Sequence, residues 1–206
     1  MKEIIYATTN KAKISMLQNI LGDEYKILNL KDIGIESQVE EDGLNPKENS
    51  LKKARVCFEA IGKPCFAMDY GLYINGLKDE EQPKQDVRRI IKKVIGHNPN
   101  DEEVLEFYID LVKKLGGKTN SFWLRSLAFV SEKGEFADEV KIPKILVDIP
   151  SKIKLEGFPL TSIQINEKLN KYESEMTEDE KEEANIFTND KIRSFIKKCL
   201  DYKIML

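Results

Sequence analysis

One helix in this sequence is marked at both ends, and it constrains everything around it. Asn45 can cap, Pro46 suits the first helical position, and Glu48 stands where a capping-box carboxylate reaches back. Gly62 followed by Pro64 stops the same helix. Between these marks Leu51, Ala54, Phe58 and Ile61 recur at helical spacing and predict a buried stripe. The flanking apolar runs, residues 25–30 and 65–68, have the length and composition of strands, with Asp69 at the exit of the second, just before Gly71. The start of the chain follows the same plan. Residues 3–7 are β-prone, Thr8-Thr9-Asn10 is a polar turn, and Ile14, Leu17, Ile20 and Leu21 form a helical stripe.

Farther along, Val87, Ile90, Ile91 and Val94 make one helical stripe, and Val104, Leu105, Tyr108, Leu111, Val112 and Leu115 make a longer one. Gly96 and Gly116 punctuate them. Residues 122–131 and 136–140 around Glu132-Lys133-Gly134 predict a β-hairpin, and residues 142–149 and 161–165 add strand material. A final helix turns Ile192, Phe195, Ile196 and Leu200 inward. With no internal repeat and no linker rich in Gly, Ser or Pro, the order of elements predicts one mixed α/β domain over residues 1–206, with a hairpin-rich insertion in the second half.

Composition narrows the function. The 206 residues are 41% hydrophobic, enough to build a core without metals or disulfides. Lys and Arg number 33 against 36 Asp and Glu, a net charge of -3, so no global positive field draws the chain to nucleic acid or anionic lipid. An anionic ligand must therefore be held by a local cluster. Apolar runs such as residues 145–149 fall far short of the roughly 20 residues a membrane span needs. Three cysteines without metal-type spacing, and a start with no secretory or Arg/Ser-rich leader, fit a reducing cytoplasm. The single histidine, His97, lies among Gly96, Asn98 and Pro99, which predicts an exposed loop residue and excludes a site built on several histidines.

Two local clusters remain. Thr8, Asn10 and Lys13 surround a helix N-terminus, where free N–H groups and the positive dipole end favour an anion. The same residues also read as a helix cap followed by a solvated lysine. Glu40, Glu41 and Asp42 precede Gly43, and Asp69 follows a buried strand, an arrangement of carboxylates able to share a hard cation such as Mg²⁺ with phosphate oxygens. The acidic run equally reads as solvated surface, and Lys53 either pairs with Asp69 structurally or reaches a phosphate.

Three runs together carry a resemblance: residues 7–13 (ATTNKAK), residues 41–55 with Glu41-Asp42-Gly43-Leu44 and Glu48-Asn49-Ser50-Leu51-Lys52-Lys53-Ala54, and residues 67–72 (AMDYGL). In order and separation they resemble motifs of the inosine/xanthosine triphosphate pyrophosphatases. The resemblance implies an elongated α/β fold with a central curved mixed sheet flanked by helices, two lobes with a cleft between them, and a homodimer. It also implies cleavage of a nucleoside triphosphate to monophosphate and pyrophosphate with Mg²⁺. On the matching positions, Thr8, Asn10, Lys13 and Lys53 would hold the triphosphate, and Glu41 and Asp69 the metal. Asp69 would also orient or deprotonate water, while Phe158 and Lys181 would lie at the base.

The departures from the family matter too. Met68-Asp69-Tyr70-Gly71 stands where the family has Asp-Asp-Ser-Gly, so one acid and one hydroxyl are missing. Gly157-Phe158-Pro159-Leu160 lacks the acid that follows the family's aromatic motif, and Asn185-Ile186-Phe187 replaces Ser-His-Arg. The resemblance therefore implies retained phosphate and metal chemistry with an altered base pocket. A non-catalytic nucleotide- or partner-binding relative, and a pyrophosphatase indifferent to the base, are its rivals. Phe158 alone reads as core or as a stacking platform, Phe122 and Trp123 as packing, and Arg88 and Arg89 as solvated or as a phosphate contact.

Overall fold

The computed structural model describes residues 2–35, 39 and 42–202. In chain order these form β1 (Lys2–Tyr6), α1 (Lys11–Leu21), β2 (Tyr25–Asn29), α2 (Pro46–Ile61), β3 (Cys65–Ile74), α3 (Arg89–Ile95), α4 (Asp101–Lys114), β4 (Lys118–Ser131), β5 (Gly134–Val147), β6 (Gln164–Asn166), β7 (Lys171–Tyr172) and α5 (Glu178–Asp201). The seven strands make one open sheet in the order β2-β1-β3-β4-β5-β6-β7. β1 runs parallel to both neighbours, pairing Ile4 with Ile27 on one side and Tyr6 with Phe66 on the other. β5 and β6, then β6 and β7, are antiparallel, so the sheet is mixed. None of the described helices is long and apolar enough to cross a membrane.

The end marks of α2 act as the sequence predicts, with one change. Asn45 Oδ1 accepts the Glu48 N–H at 3.0 Å, and Gly62, in the left-handed region at φ 63°, donates its N–H to the Phe58 carbonyl at 2.7 Å. The Glu48 carboxylate reaches one residue farther back than a standard capping box: it accepts from the Leu44 N–H at 2.8 Å and the Asn45 side-chain amide at 3.0 Å. The chain entering the helix is fixed by this contact.

The chain divides into two compact units. The first comprises Met1–Asp69, Arg125–Val140 and Phe187–Leu206. Its core is built largely from small side chains: Ala54 and Cys57 of α2 meet Ala7, Cys65, Ala67 and Ala128, with Ile5, Leu30 and Val130 around them. Small residues on both surfaces let a helix lie close to strands, and that closeness lays α2 along β3. The second unit comprises Tyr70–Leu124 and Lys141–Ile186. Leu72, Ile74, Ile91, Val104, Tyr108, Val112, Leu146 and Ile163 form its core, with Trp123 packed against it.

Four expectations need correction. β3 does not end at residue 68 but continues to Ile74, so Asp69 lies within the strand rather than at its exit. Asp69 and Gly71 interrupt the apolar run but not the strand: Leu72 exchanges backbone hydrogen bonds with Lys84 at 2.8 and 2.9 Å. The fully buried face of α2 is Pro46, Asn49, Ser50, Ala54 and Cys57, while Leu51, Phe58 and Ile61 sit at its margin. Val94 is exposed, because α3 ends at Ile95 before its last turn can pack. Residues 159–162 form a 3-10 turn, leaving only Gln164–Asn166 as strand.

Candidate active site

Close packing of α2 on β3 brings Lys53 to Asp69. The ammonium lies 3.2 Å from Asp69 Oδ1, and the two side chains are only 12% and 9% exposed. Asp69 Oδ2 is buried and has no hydrogen-bond partner among the described residues. A buried carboxylate oxygen left without a donor is costly, and an oxygen-seeking cation is one group that satisfies it. Asp69 therefore fits one ligand of a Mg²⁺ site. Among the described residues no group of three His, Cys, Asp or Glu side chains gathers to complete such a site, and Glu40 and Glu41 fall outside those residues. Asp42 is exposed and paired with Lys52 at 2.5 Å, and that pairing holds its carboxyl below the ordinary range.

Alternation along β3 separates Met68 from Asp69. Successive strand residues face opposite sides of the sheet, so residue 68 points away from the side Asp69 faces. Met68 is 2% exposed and fills core. An acid at this position would not have stood beside Asp69 within the strand.

The Thr8–Lys13 turn sits at the carboxyl end of β1. The Ala7 N–H donates to the Phe66 carbonyl at 2.8 Å, which ties the turn to β3 three residues before Asp69. Asn10 Oδ1 accepts the Lys13 N–H at 3.2 Å, and Thr8 Oγ1 accepts the Asn10 N–H at 3.2 Å. These residues are thus a genuine helix cap. The cap uses acceptor oxygens, while a hydroxyl hydrogen, a side-chain NH₂ and the positive end of a helix are the kinds of donor that suit an anion. Carboxyl ends of parallel strands are also where open α/β sheets bind ligands.

Asn49 is a residue the sequence reading passed over. It is 1% exposed, and its Oδ1 accepts the Gly43 N–H at 2.8 Å. It lies one turn before Lys53 on the same helix face, so one side of α2 holds the 43–44 loop and the Asp69 carboxylate together. Its Nδ2 is buried without a hydrogen-bond partner among the described residues. Next to it, the Ser50 hydroxyl meets that of Ser126 at 3.0 Å. The available signal was positional: residues 46, 49, 50, 53, 54 and 57 share a helix face, but half of them are polar.

On the second unit, Phe158 is 60% exposed, which excludes the core reading, while Pro159 and Leu160 beside it are buried. Lys181 lies in the first turn of α5 and pairs with Glu178 at 2.7 Å. Arg88 is solvent-exposed and at the same time ion-paired to Asp101, and Arg89 pairs with Asp86 at 3.2 Å. Phe122 stacks on Tyr73 with centroids 5.0 Å apart, a packing role. His97 is an exposed side chain beside Glu103 at 2.8 Å.

The sequence model of the Ham1 family matches residues 4–187. A dITP/XTP pyrophosphatase from Borreliella burgdorferi is 31% identical over 189 residues, covering 88% of each chain. Another from Leptospira interrogans is 28% identical over 183 residues, covering 87% of this chain and 88% of its own. The folded chain superimposes on the Ham1 protein of Staphylococcus aureus with a TM-score of 0.76 at 22% identity, covering 95% and 98% of the two chains. For a HAM1 protein from Coxiella burnetii the TM-score is 0.79 at 20% identity, covering 96% and 100%.

Proposed function

The chain belongs to the Ham1 family, and from that premise we propose that it is a Mg²⁺-dependent nucleoside triphosphate pyrophosphatase whose base pocket departs from the dITP/XTP type. The observation that carries this reading is the Asp69 carboxylate: buried, held through Oδ1 by Lys53, and left with Oδ2 unbonded among the described residues.

The triphosphate tail is bound by donors of the first unit. Thr8 offers a hydroxyl, Asn10 an amide, Lys13 and Lys53 ammonium groups, and α1 its N-terminal dipole. Together they offset the charge of a polyanion and make pyrophosphate a better leaving group. Lys53 also fixes which Asp69 oxygen remains free, and that oxygen is the one to hold Mg²⁺ or to orient the attacking water by accepting its hydrogen bond. When bound, Mg²⁺ adds charge neutralisation on the phosphate oxygens. On the base side, Phe158 offers a face for stacking and Lys181 an ammonium near the start of α5. The family's Ser-His-Arg position is occupied by Asn185, Ile186 and Phe187, the last two exposed. With neither acid nor His-Arg pair to read a purine edge, discrimination among bases is shallow. The rival reading of a catalytically silent relative draws on the acid missing at residue 68 and on the missing His-Arg pair; Met68 is a buried core side chain, and the 185–187 segment bears on the base rather than on the phosphates.

Purified protein incubated with ITP, XTP, dITP and the canonical triphosphates tests the reading. Pyrophosphate and nucleoside monophosphate should appear in equal amounts with Mg²⁺ and vanish with EDTA, with rates differing modestly between bases. Orthophosphate release in place of pyrophosphate, or no turnover of any triphosphate, contradicts it.

A further inference from the structure

Phe158 combines two properties that rarely coincide: a large apolar ring left mostly in water and a backbone held on every side. Its N–H donates to the Leu155 carbonyl at 3.0 Å, and its own carbonyl accepts from the Thr161 N–H at 3.1 Å and the Thr161 hydroxyl at 2.6 Å. Gly157 before it adopts φ 79°, a left-handed conformation that favours glycine. All these contacts are local to the turn. One is not: the Gly157 N–H donates to Asp101 Oδ2 at 2.6 Å, across 56 residues of sequence.

Asp101 opens α4, yet it does not cap that helix. The cap is Asn100, whose Oδ1 accepts the Glu103 N–H at 2.9 Å. The two Asp101 oxygens divide between other tasks, Oδ2 to Gly157 and Oδ1 to the Arg88 guanidinium. Arg88 is itself steadied by its bond to the Pro99 carbonyl at 3.0 Å. The Arg88 guanidinium and the Gly157 N–H both hold the Asp101 carboxyl below its ordinary range, in keeping with a carboxylate used as a fixed acceptor. Beside the turn lies a pocket of about 310 Å³ whose lining includes the acids Asp101, Glu102 and Glu156 together with Lys154, Leu155 and Pro159.

We propose that Asp101, held by Arg88, is a positioning residue for Phe158: it pins the Gly157 N–H so that the Phe158 ring stands ready to stack on the base of the nucleotide. This rests on the reading that Phe158 is the base platform. Fixing the ring before binding removes the ordering cost from the binding step, so the gain falls on affinity and not on the chemical step. Arg88, read from sequence as a solvated or phosphate-binding side chain, acts here through Asp101.

The test is a double-mutant cycle of Asp101→Ala and Phe158→Ala, with Asp101→Asn as a variant that keeps shape and an acceptor but loses the charge. In the wild-type background Asp101→Ala should raise KM for ITP about tenfold with kcat unchanged, and Asp101→Asn by less. In the Phe158→Ala background Asp101→Ala should change nothing further. Inhibition by inorganic tripolyphosphate, which has no base to stack, should be the same in all variants. The same cycle is read without catalysis as the Kd of a non-hydrolysable α,β-methylene ITP analogue. An inactive wild type that binds this analogue overturns the pyrophosphatase reading alone. Equal Kd in wild type and Asp101→Ala, a full Asp101→Ala effect persisting in Phe158→Ala, or weakened tripolyphosphate inhibition overturns the positioning role.

Discussion

Asn49 and Gly43 are fitted so closely that no side chain can be added between them. The Gly43 N–H reaches Asn49 Oδ1 at 2.8 Å, and a Cβ on residue 43 would stand 2.5 Å from that same oxygen. Gly43 is thereby hung on the helix that carries Lys53. Gly43→Ala must displace either the loop or the Asn49 side chain and break the bond. A loss of about 1–3 kcal/mol in unfolding free energy is expected, read from the urea midpoint. Asn49→Ala removes the same bond without the clash and should cost no more than Gly43→Ala.

The Lys53–Asp69 pair should behave asymmetrically. Because both side chains are about nine-tenths buried, Lys53→Met leaves an uncompensated carboxylate in the interior and should destabilise by about 3–5 kcal/mol. Adding Asp69→Asn to Lys53→Met removes that charge and should restore part of the loss. Chemical unfolding of the two single variants and the double variant measures the coupling directly.

The three cysteines are free and buried. Burial pushes the Cys199 thiol up to about 12, with the Lys198 charge opposing this and Asp138 assisting. Its unfolded value is about 8.5. The folded state therefore holds this proton more tightly than the unfolded state does. The resulting contribution is fully present below about pH 8.5 and is lost as pH rises from there through about 12. Native protein at pH 8 should not label at Cys199 with a thiol-specific disulfide reagent, whereas urea-unfolded protein should. The decline of stability between pH 8 and 10 should be shallower in Cys199→Ala.

How far residue patterns reached can be judged element by element. The ends of α2 were legible because Asn, Pro and Gly act locally through side-chain oxygen, fixed φ and left-handed φ. The buried face of that helix was not. Asn49 and Ser50 are polar, and their burial depends on Gly43 and Ser126, partners distant in sequence. The length of β3 was hidden by Asp69, whose charge reads as a boundary until Lys53 is seen beside it. The pairing of Lys53 with Asp69 was legible because a buried acid needs a partner, and the Thr8–Asn10 cap because its side-chain oxygens act locally. The role of Asp101 was not, since its partner Gly157 is 56 residues away and carries no side chain to signal it.

If the Asp69 oxygen not held by Lys53 serves the cleavage of a nucleoside triphosphate, neutralising that carboxylate must stop the reaction. The most direct measurement is pyrophosphate release from ITP by Asp69→Asn alongside wild type, with folding checked by thermal melting and binding of the α,β-methylene analogue measured on the same samples. Loss of turnover by a factor of about a thousand or more in a folded variant that still binds the analogue is the predicted result. A folded Asp69→Asn protein that releases pyrophosphate at the wild-type rate contradicts the claim.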